Sequence, residues 1–345
     1  MSIESAGEVW MRLVFVHGIG GPRECDRELT VWQRALAAGM SVGGHTRMAR
    51  ELERPGGAVE CVFAYYGDLF RRPQAQGAGS GPLDDEEARI LVDLLAELVD
   101  VLAAEHEQNA GPAGHKRGGD DYESGRRLLE HARAEAAPRP QAQGSMSLVR
   151  RALNVATTLL SWQPWGGAAQ WAAPKLMVRD LAQVSRYLAR VEHDKAGVGL
   201  DRRIRARVAE AVGDGPAVVV AHSLGTIVAL EALHELRAAV PLFVTLGSPL
   251  AMRTVVRPKL VPQPPGTPPG LACWLNFWDR DDVIAVRPVL ERDFAVNAAA
   301  VGPDSRRVDS DGIWVHPAVK YLAQPGVAAP IAEALPQTGH HRGGG

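Results

Sequence analysis

The sequence predicts an α/β fold: a mostly parallel β-sheet flanked by helices and interrupted by a large helical insertion. Three observations predict it. Short, continuous apolar runs such as Leu13-Val14-Phe15-Val16 and Ala217-Val218-Val219-Val220-Ala221 end at turns or at helical patterns. Runs apolar on both faces suit strands buried inside a parallel sheet. These runs fall before residue 70 and after residue 200, and helical periodicity fills the stretch between.

The elements follow in order. Arg12 to Val16 is a strand ending in His17-Gly18-Ile19-Gly20-Gly21-Pro22. A helix from about Asp26 to Met40 carries Leu29, Trp32 and Leu36 at helical spacing. Val59 to Tyr66 is the second strand. Residues 73–82 have the Gly, Gln and Ala content of a loop. From Asp84 to about Glu107, Leu91, Leu95, Leu98 and Leu102 fall four, three and four apart, which marks an amphipathic helix. Asn109 to Asp121 is polar and Gly-rich, a flexible linker. A helix from Tyr122 to Ala136 stops at Ala137-Pro138-Arg139-Pro140, because proline breaks helices. Met146 to about Arg190 is helical with an interruption near Pro164 to Gly167, and carries Trp162, Trp165, Trp171 and Tyr187.

Strand and helix then alternate again. Arg202 to Val212 is a helix, Ala217 to Ala221 a strand and Leu224 to Ala238 a helix. Leu242 to Leu246 is a strand that ends in Gly247-Ser248-Pro249, and Cys273 to Trp278 is another. Arg306 to Val308 forms a last short strand, and Pro317 to Leu322 a helix. The economical division is one α/β core built from residues 1–72 and 201–336, a helical insertion or cap over 73–200, and a disordered tail at 337–345. The insertion is expected over the C-terminal strand edge, where such sheets hold their sites.

Composition narrows the function. Of the 345 residues, 46% are apolar and 23% charged, as in ordinary globular proteins. A formal net charge of −2 gives no overall attraction to nucleic acid or anionic membrane. Arg71-Arg72 and Arg202-Arg203 are too short to be more than solvated surface. Cys25, Cys61 and Cys273 are odd in number and widely spaced, which argues against a disulfide framework and a zinc site. Met1 to Glu8 lacks the pattern of a signal peptide, and no apolar stretch reaches the roughly 18 residues of a membrane span. The expectation is a cytoplasmic protein with no transmembrane segment.

The chemistry centres on Ala221-His222-Ser223-Leu224-Gly225. Ser223 lies between a strand and a helix, the context of a nucleophile elbow. Positions flanking the serine must be small because strand and helix crowd there. Gly225 meets this, and Ala221 adds one methyl to the usual first glycine. A serine in this place can also simply cap the helix, and both roles are open at this point. The second feature is the glycine turn after the first strand. A hydrolase passing through a tetrahedral intermediate needs two N–H donors aimed at the oxyanion, and losing one costs about 10²–10³ in rate. The backbone N–H groups of Ile19 and Leu224 are the natural pair, with Gly18 allowing close approach. A phosphate cradle is the alternative, but the glycine spacing matches neither common phosphate motif.

Serine needs a base, and the base an orienting acid. In a strand–helix fold with such an elbow they follow in the order serine, acid, histidine. Asp279, Asp281 and Asp282 compete on the loop after Cys273 to Trp278. His316, His340 and His341 remain beyond it, and the last two lie in the tail. His316 is therefore the eligible base, with Pro317 at a first helical position.

The stretches VFVHGIGG, AHSLGT, LFVTLGSPL, WLNFWDRDDVIA and His316 followed by VKYL resemble the α/β-hydrolase superfamily, specifically bacterial lipase- and esterase-like serine hydrolases. The resemblance covers most of residues 12–70 and 201–325 and leaves the insertion out. It implies an α/β-hydrolase fold with a Ser-His-Asp triad and hydrolysis of carboxylic esters through an acyl-enzyme. It implies Asp282 as the acid, with Asp281 chosen by a slightly shifted alignment, and His17 as support for the oxyanion loop. No metal or organic cofactor is needed. The expected partner is a small-molecule or lipid-like ester, not nucleic acid. The same triad serves amidases, peptidases and acyltransferases, and a hydrolase fold can also act as a non-catalytic binding scaffold. The apolar residues of the insertion form either a lid over the acyl site or its packing onto the core.

Overall fold

The computed structural model describes residues 11–19, 24–54, 56–71, 83–109, 119–137, 144–161, 174–282, 284–285, 288–310 and 315–336. Strands β1 (Met11–Val16), β2 (Val59–Ala64), β3 (Ala217–His222), β4 (Leu242–Leu246), β5 (Trp274–Asp279) and β6 (Pro303–Val308) form one six-stranded sheet. Its order is β2-β1-β3-β4-β5-β6, and every ladder is parallel. All strands therefore end on the same side of the sheet.

The connection leaving β1 runs to β2 on one side, while β3 lies on the other. Open parallel sheets bind ligands at such a reversal, outside the strand C-termini. Here it falls between the ends of β1 and β3, at His17 and Ser223. Ladder register fixes that neighbourhood, pairing Val16 with Ala221 and His222 with Leu246.

The period of two along each strand sorts apolar residues to two covered faces. Leu13, Phe15, Val218, Val220 and Val244 meet α1 (Cys25–Val42), α2 (Thr46–Glu53), α9 (Ala318–Leu322) and α10 (Pro325–Ala334). Trp32, Leu36, Met40, Tyr321 and Ile331 fill that layer. Val14, Val16, Val219, Ala221 and Phe243 face the opposite layer, built from α7 (Leu200–Val212) and α8 (Leu224–Glu235).

The second layer continues into the insertion. Helices α3 (Asp85–Asn109), α4 (Gly119–Ala136), α5 (Ser145–Ser161) and α6 (Pro174–Ala189) pack on one another. Leu91, Leu95, Leu98 and Leu102 of α3 are buried in the same apolar cluster as Val14, Val219 and Leu224. These leucines are buried in the core rather than exposed. Polar anchors reinforce the joint. Glu97 of α3 accepts the N–H groups of Arg253 and Thr254 at 2.6 and 3.1 Å. Buried Arg186 of α6 donates to Phe70 O at 2.7 Å and pairs with Glu192.

Several expectations fall outside the described residues: the linker at 110–118, the tail at 337–345, and Trp162, Trp165 and Trp171. Two helices were not expected. α2 is highly charged, yet it buries Met48, Ala49 and Leu52 on one face. α10 contains Pro330, which masks a helix otherwise signalled by Pro325 at its start. Pro317 precedes α9 rather than opening it, with φ −54° and ψ 135°. Among the described residues, no helix is long and apolar enough to cross a membrane.

Candidate active site

Ser223 closes β3 and precedes Leu224, the first residue of α8. Its backbone has φ 54° and ψ −128°, and its side chain makes no capping hydrogen bond. An N-cap residue sits in the extended region and accepts an N–H from the first turn. Ser223 is not extended, and although its carbonyl accepts Thr226 N–H at 2.9 Å its side-chain oxygen accepts none, so the geometry contradicts the side-chain cap role. Positive φ at a non-glycine costs on the order of 1–3 kcal/mol and persists only where surroundings impose it. Those surroundings are tight. Ser223 N–H donates to Leu246 O at 3.0 Å. A Cβ on Gly225 would stand 2.4 Å from His17 O, and one on Gly18 would stand 2.7 Å from Ser223 Cβ. Both glycines are obligatory, because the end of β1 and the elbow touch through them. The turn thus brings Gly18 and the N-terminus of α8 to Ser223. Ala221, in the place of the usual first glycine, is fully buried and pairs in the ladder with Val16 and Thr245.

His17 is buried and stacks on Tyr66 with ring centres 4.1 Å apart. Its Nδ1–H donates to Gly18 O at 2.6 Å and its Nε2 accepts Tyr66 N–H at 3.2 Å. One nitrogen donating and one accepting defines a neutral imidazole. Tyr66 O–H in turn donates to His17 O. The pair therefore braces the loop that carries Gly18 and Ile19.

The acid and base expected from the sequence, Asp282 and His316, meet. His316 Nδ1–H lies 2.8 Å from each oxygen of Asp282. Asp282 also accepts Ile284 N–H at 3.0 Å and Tyr321 O–H at 2.7 Å. Burial opposes ionisation of Asp282, but the charge and hydrogen bond of His316, with Tyr321 and Ile284, outweigh it and hold the carboxyl below its ordinary value. The second nitrogen of His316, Nε2, is buried and has no hydrogen-bond partner among the described residues. No bond from Ser223 Oγ reaches it in this structure; catalytic contacts often tighten only once substrate is bound. The segments that carry the two residues meet through His222. His222, adjacent to Ser223, donates through Nε2–H to His316 O at 2.6 Å, and their ring centres lie 4.6 Å apart.

The three aspartates of the loop have three different places. Asp282 holds His316. Asp281 is exposed and, among the described residues, contributes only its N–H, to Asp279 Oδ1 at 2.9 Å. Buried Asp279 accepts that N–H and, on Oδ2, Ser310 N–H at 2.6 Å. It thereby clasps the acid loop to the segment leading to His316.

Gly247, Tyr66 and Tyr321 belong to the site although their sequence context did not mark them. Gly247 ends β4 with φ 53°, and a Cβ there would stand 2.5 Å from Asp282 Oδ2 and 3.2 Å from His316 Nδ1. A glycine directly after a strand was the available signal. For the tyrosines only the tertiary contacts reveal a role. Among the described residues, no group of three or more His, Cys, Asp or Glu side chains could hold a metal ion. Comparison with known proteins finds no matching family model, no similar curated protein and no similar solved structure.

Proposed function

We propose that this chain is a serine hydrolase of the α/β-hydrolase type that cleaves carboxylic esters. The observation that carries the proposal is the uncapped, positive-φ Ser223 at a strand–helix turn whose preceding residue, His222, bonds the backbone of His316, itself buried against Asp282 with an orphaned Nε2. In this reading Ser223 Oγ attacks the ester carbonyl and its proton passes to His316 Nε2. Asp282 keeps the imidazole proton on Nδ1 and stabilises the imidazolium that forms. The N–H groups of Ile19 and Leu224 receive the developing oxyanion, aided by the positive end of α8. His316 then protonates the leaving alkoxide as its bond to carbon breaks. Water cleaves the acyl-enzyme by the same steps in reverse roles, releasing the carboxylic acid.

Reaction of the purified protein with a fluorophosphonate probe tests the nucleophile. Wild type should label and Ser223→Ala should not. Equal labelling of both overturns the assignment. Absence of labelling and of ester turnover in a folded wild type would favour the binding-scaffold alternative. A panel of p-nitrophenyl esters, anilides and peptides, with and without an added alcohol acceptor, separates esterolysis from amide cleavage and acyl transfer.

A further inference from the structure

We propose that Tyr321 is a positioning residue for the Asp282–His316 pair, its hydroxyl fixing the carboxylate against the imidazole and tempering the negative charge the imidazole meets. The inference rests on the triad reading of Ser223, Asp282 and His316.

Tyr321 is fully buried on α9. Its neighbours Ala318 and Leu322 also face the core, but they bring only apolar atoms. Of these three buried α9 residues Tyr321 brings the polar side-chain atom, and it ends on Asp282 Oδ2 at 2.7 Å. The same oxygen of Tyr321 accepts Asp279 N–H at 3.1 Å, so the phenol is held by β5 while it holds the acid. From the opposite side Ile284 N–H grips Oδ1 at 3.0 Å. With one donor on each oxygen, the carboxylate cannot swing about its Cβ–Cγ bond without breaking a buried hydrogen bond. Gly247 beneath it leaves room for no further atom. His316 Nδ1–H consequently sits midway, 2.8 Å from both oxygens.

The phenol also acts electrostatically. A hydroxyl that donates to a carboxylate draws off part of its charge, and the acid then stabilises imidazolium less strongly. Burial and the nearby charge of Asp282 push the Tyr321 hydroxyl well above its ordinary value, so it remains a donor throughout the working range. Among the described residues, the other ionisable groups facing the pair are His222 from the end of β3 and Asp279 from β5. Asp279 already accepts two backbone N–H groups, and His222 already donates to His316 O.

The test is NMR titration of the His316 ring in the full-length protein, which needs no substrate. Tyr321→Phe keeps the ring and removes the donor. The His316 midpoint should rise by about half a pH unit, part of the worth of one hydrogen bond to a charged group. The acid limb of kcat/KM for ester hydrolysis should move the same way. Loss of positioning should lower kcat about tenfold with KM little changed. Tyr187→Phe, the same deletion at another buried carboxylate, should leave the His316 midpoint in place. Site-specific replacement of Tyr321 by 3-fluorotyrosine, which preserves shape and strengthens the donor, should move the midpoint down. That variant decides the matter if Tyr321→Phe does not fold. An unchanged His316 midpoint in both variants overturns the proposal. Failure of the triad reading shows separately, as undiminished probe labelling of Ser223→Ala.

Discussion

Asp282 and Glu231 are both buried carboxylates, and each accepts a tyrosine hydroxyl at 2.7 Å and a backbone N–H at 3.0 Å. Their remaining partners differ. Glu231, on α8, binds Arg190 at 2.7 Å and Arg205 at 3.1 Å, and both guanidiniums also reach Asp201. Two permanent cations face two carboxylates, and guanidinium does not give up its proton. Arg190 even occupies φ 56° to make the contact, directly after α6. Asp282 faces a single imidazole, whose far nitrogen has no partner among the described residues. The first arrangement fastens the insertion to the core. The second leaves a buried ring nitrogen without a partner among the described residues. In the proposed function that nitrogen takes a proton, which no guanidinium can do.

The sharpest way to break this contrast is Asp282→Asn. Loss of the carboxylate removes the tautomer control on His316, and kcat should fall about 10⁴-fold in ester hydrolysis. Glu231→Gln should do the opposite. It leaves Arg190 and Arg205 undercompensated and should lower folding stability by about 3–5 kcal/mol in urea denaturation. Ester turnover by its folded fraction should stay close to wild type. Loss of turnover without loss of stability in Glu231→Gln would dissolve the distinction. Gly247→Ala comes next, since its methyl displaces the pair by a fraction of an ångström. It should cost on the order of 10² in kcat.

A smaller effect sharpens the comparison through pH. Burial works against ionisation of Asp282, yet His316, Tyr321 and Ile284 keep its folded carboxyl below its ordinary value, which is about 3.9 in an unfolded chain. A depressed folded value means the unfolded chain binds the proton more readily. The stabilisation is therefore complete above that unfolded value and lost as pH falls from about 4 through the folded one. The stability gap between wild type and Asp282→Asn should narrow below about pH 4. A gap independent of pH would show that charge is not what the pair contributes.

How much of this was legible in the sequence depends on the range of the forces involved. β3 and β4 are written as continuous apolar runs because both faces are covered, and α3 as leucines at helical spacing because one face is. Ser223 and Gly225 were legible because an elbow is a local event. The choice between Asp281 and Asp282 was not. It is made by Asp282 N–H bonding back to Asp279 O at 3.1 Å, which turns one aspartate inward and leaves its neighbour in solvent. Tyr321 was equally hidden, because its partners Asp279 and Asp282 come from a strand end and loop far upstream. α2 was lost to its charge, and α10 to Pro330.

The pairing of β1 with β3 also bears on how the molecule reaches its native state. Arg12 and Ala217 are ladder partners about 200 positions apart, and closing so long a chain makes for slow folding. The contacts among α3, α4, α5 and α6 are short-range by comparison. In refolding from urea, helical signal should therefore return before the central ladder closes. His17 and Ser223 stand at the end of that ladder. If the proposed function holds, probe reactivity of Ser223 should be the last property recovered.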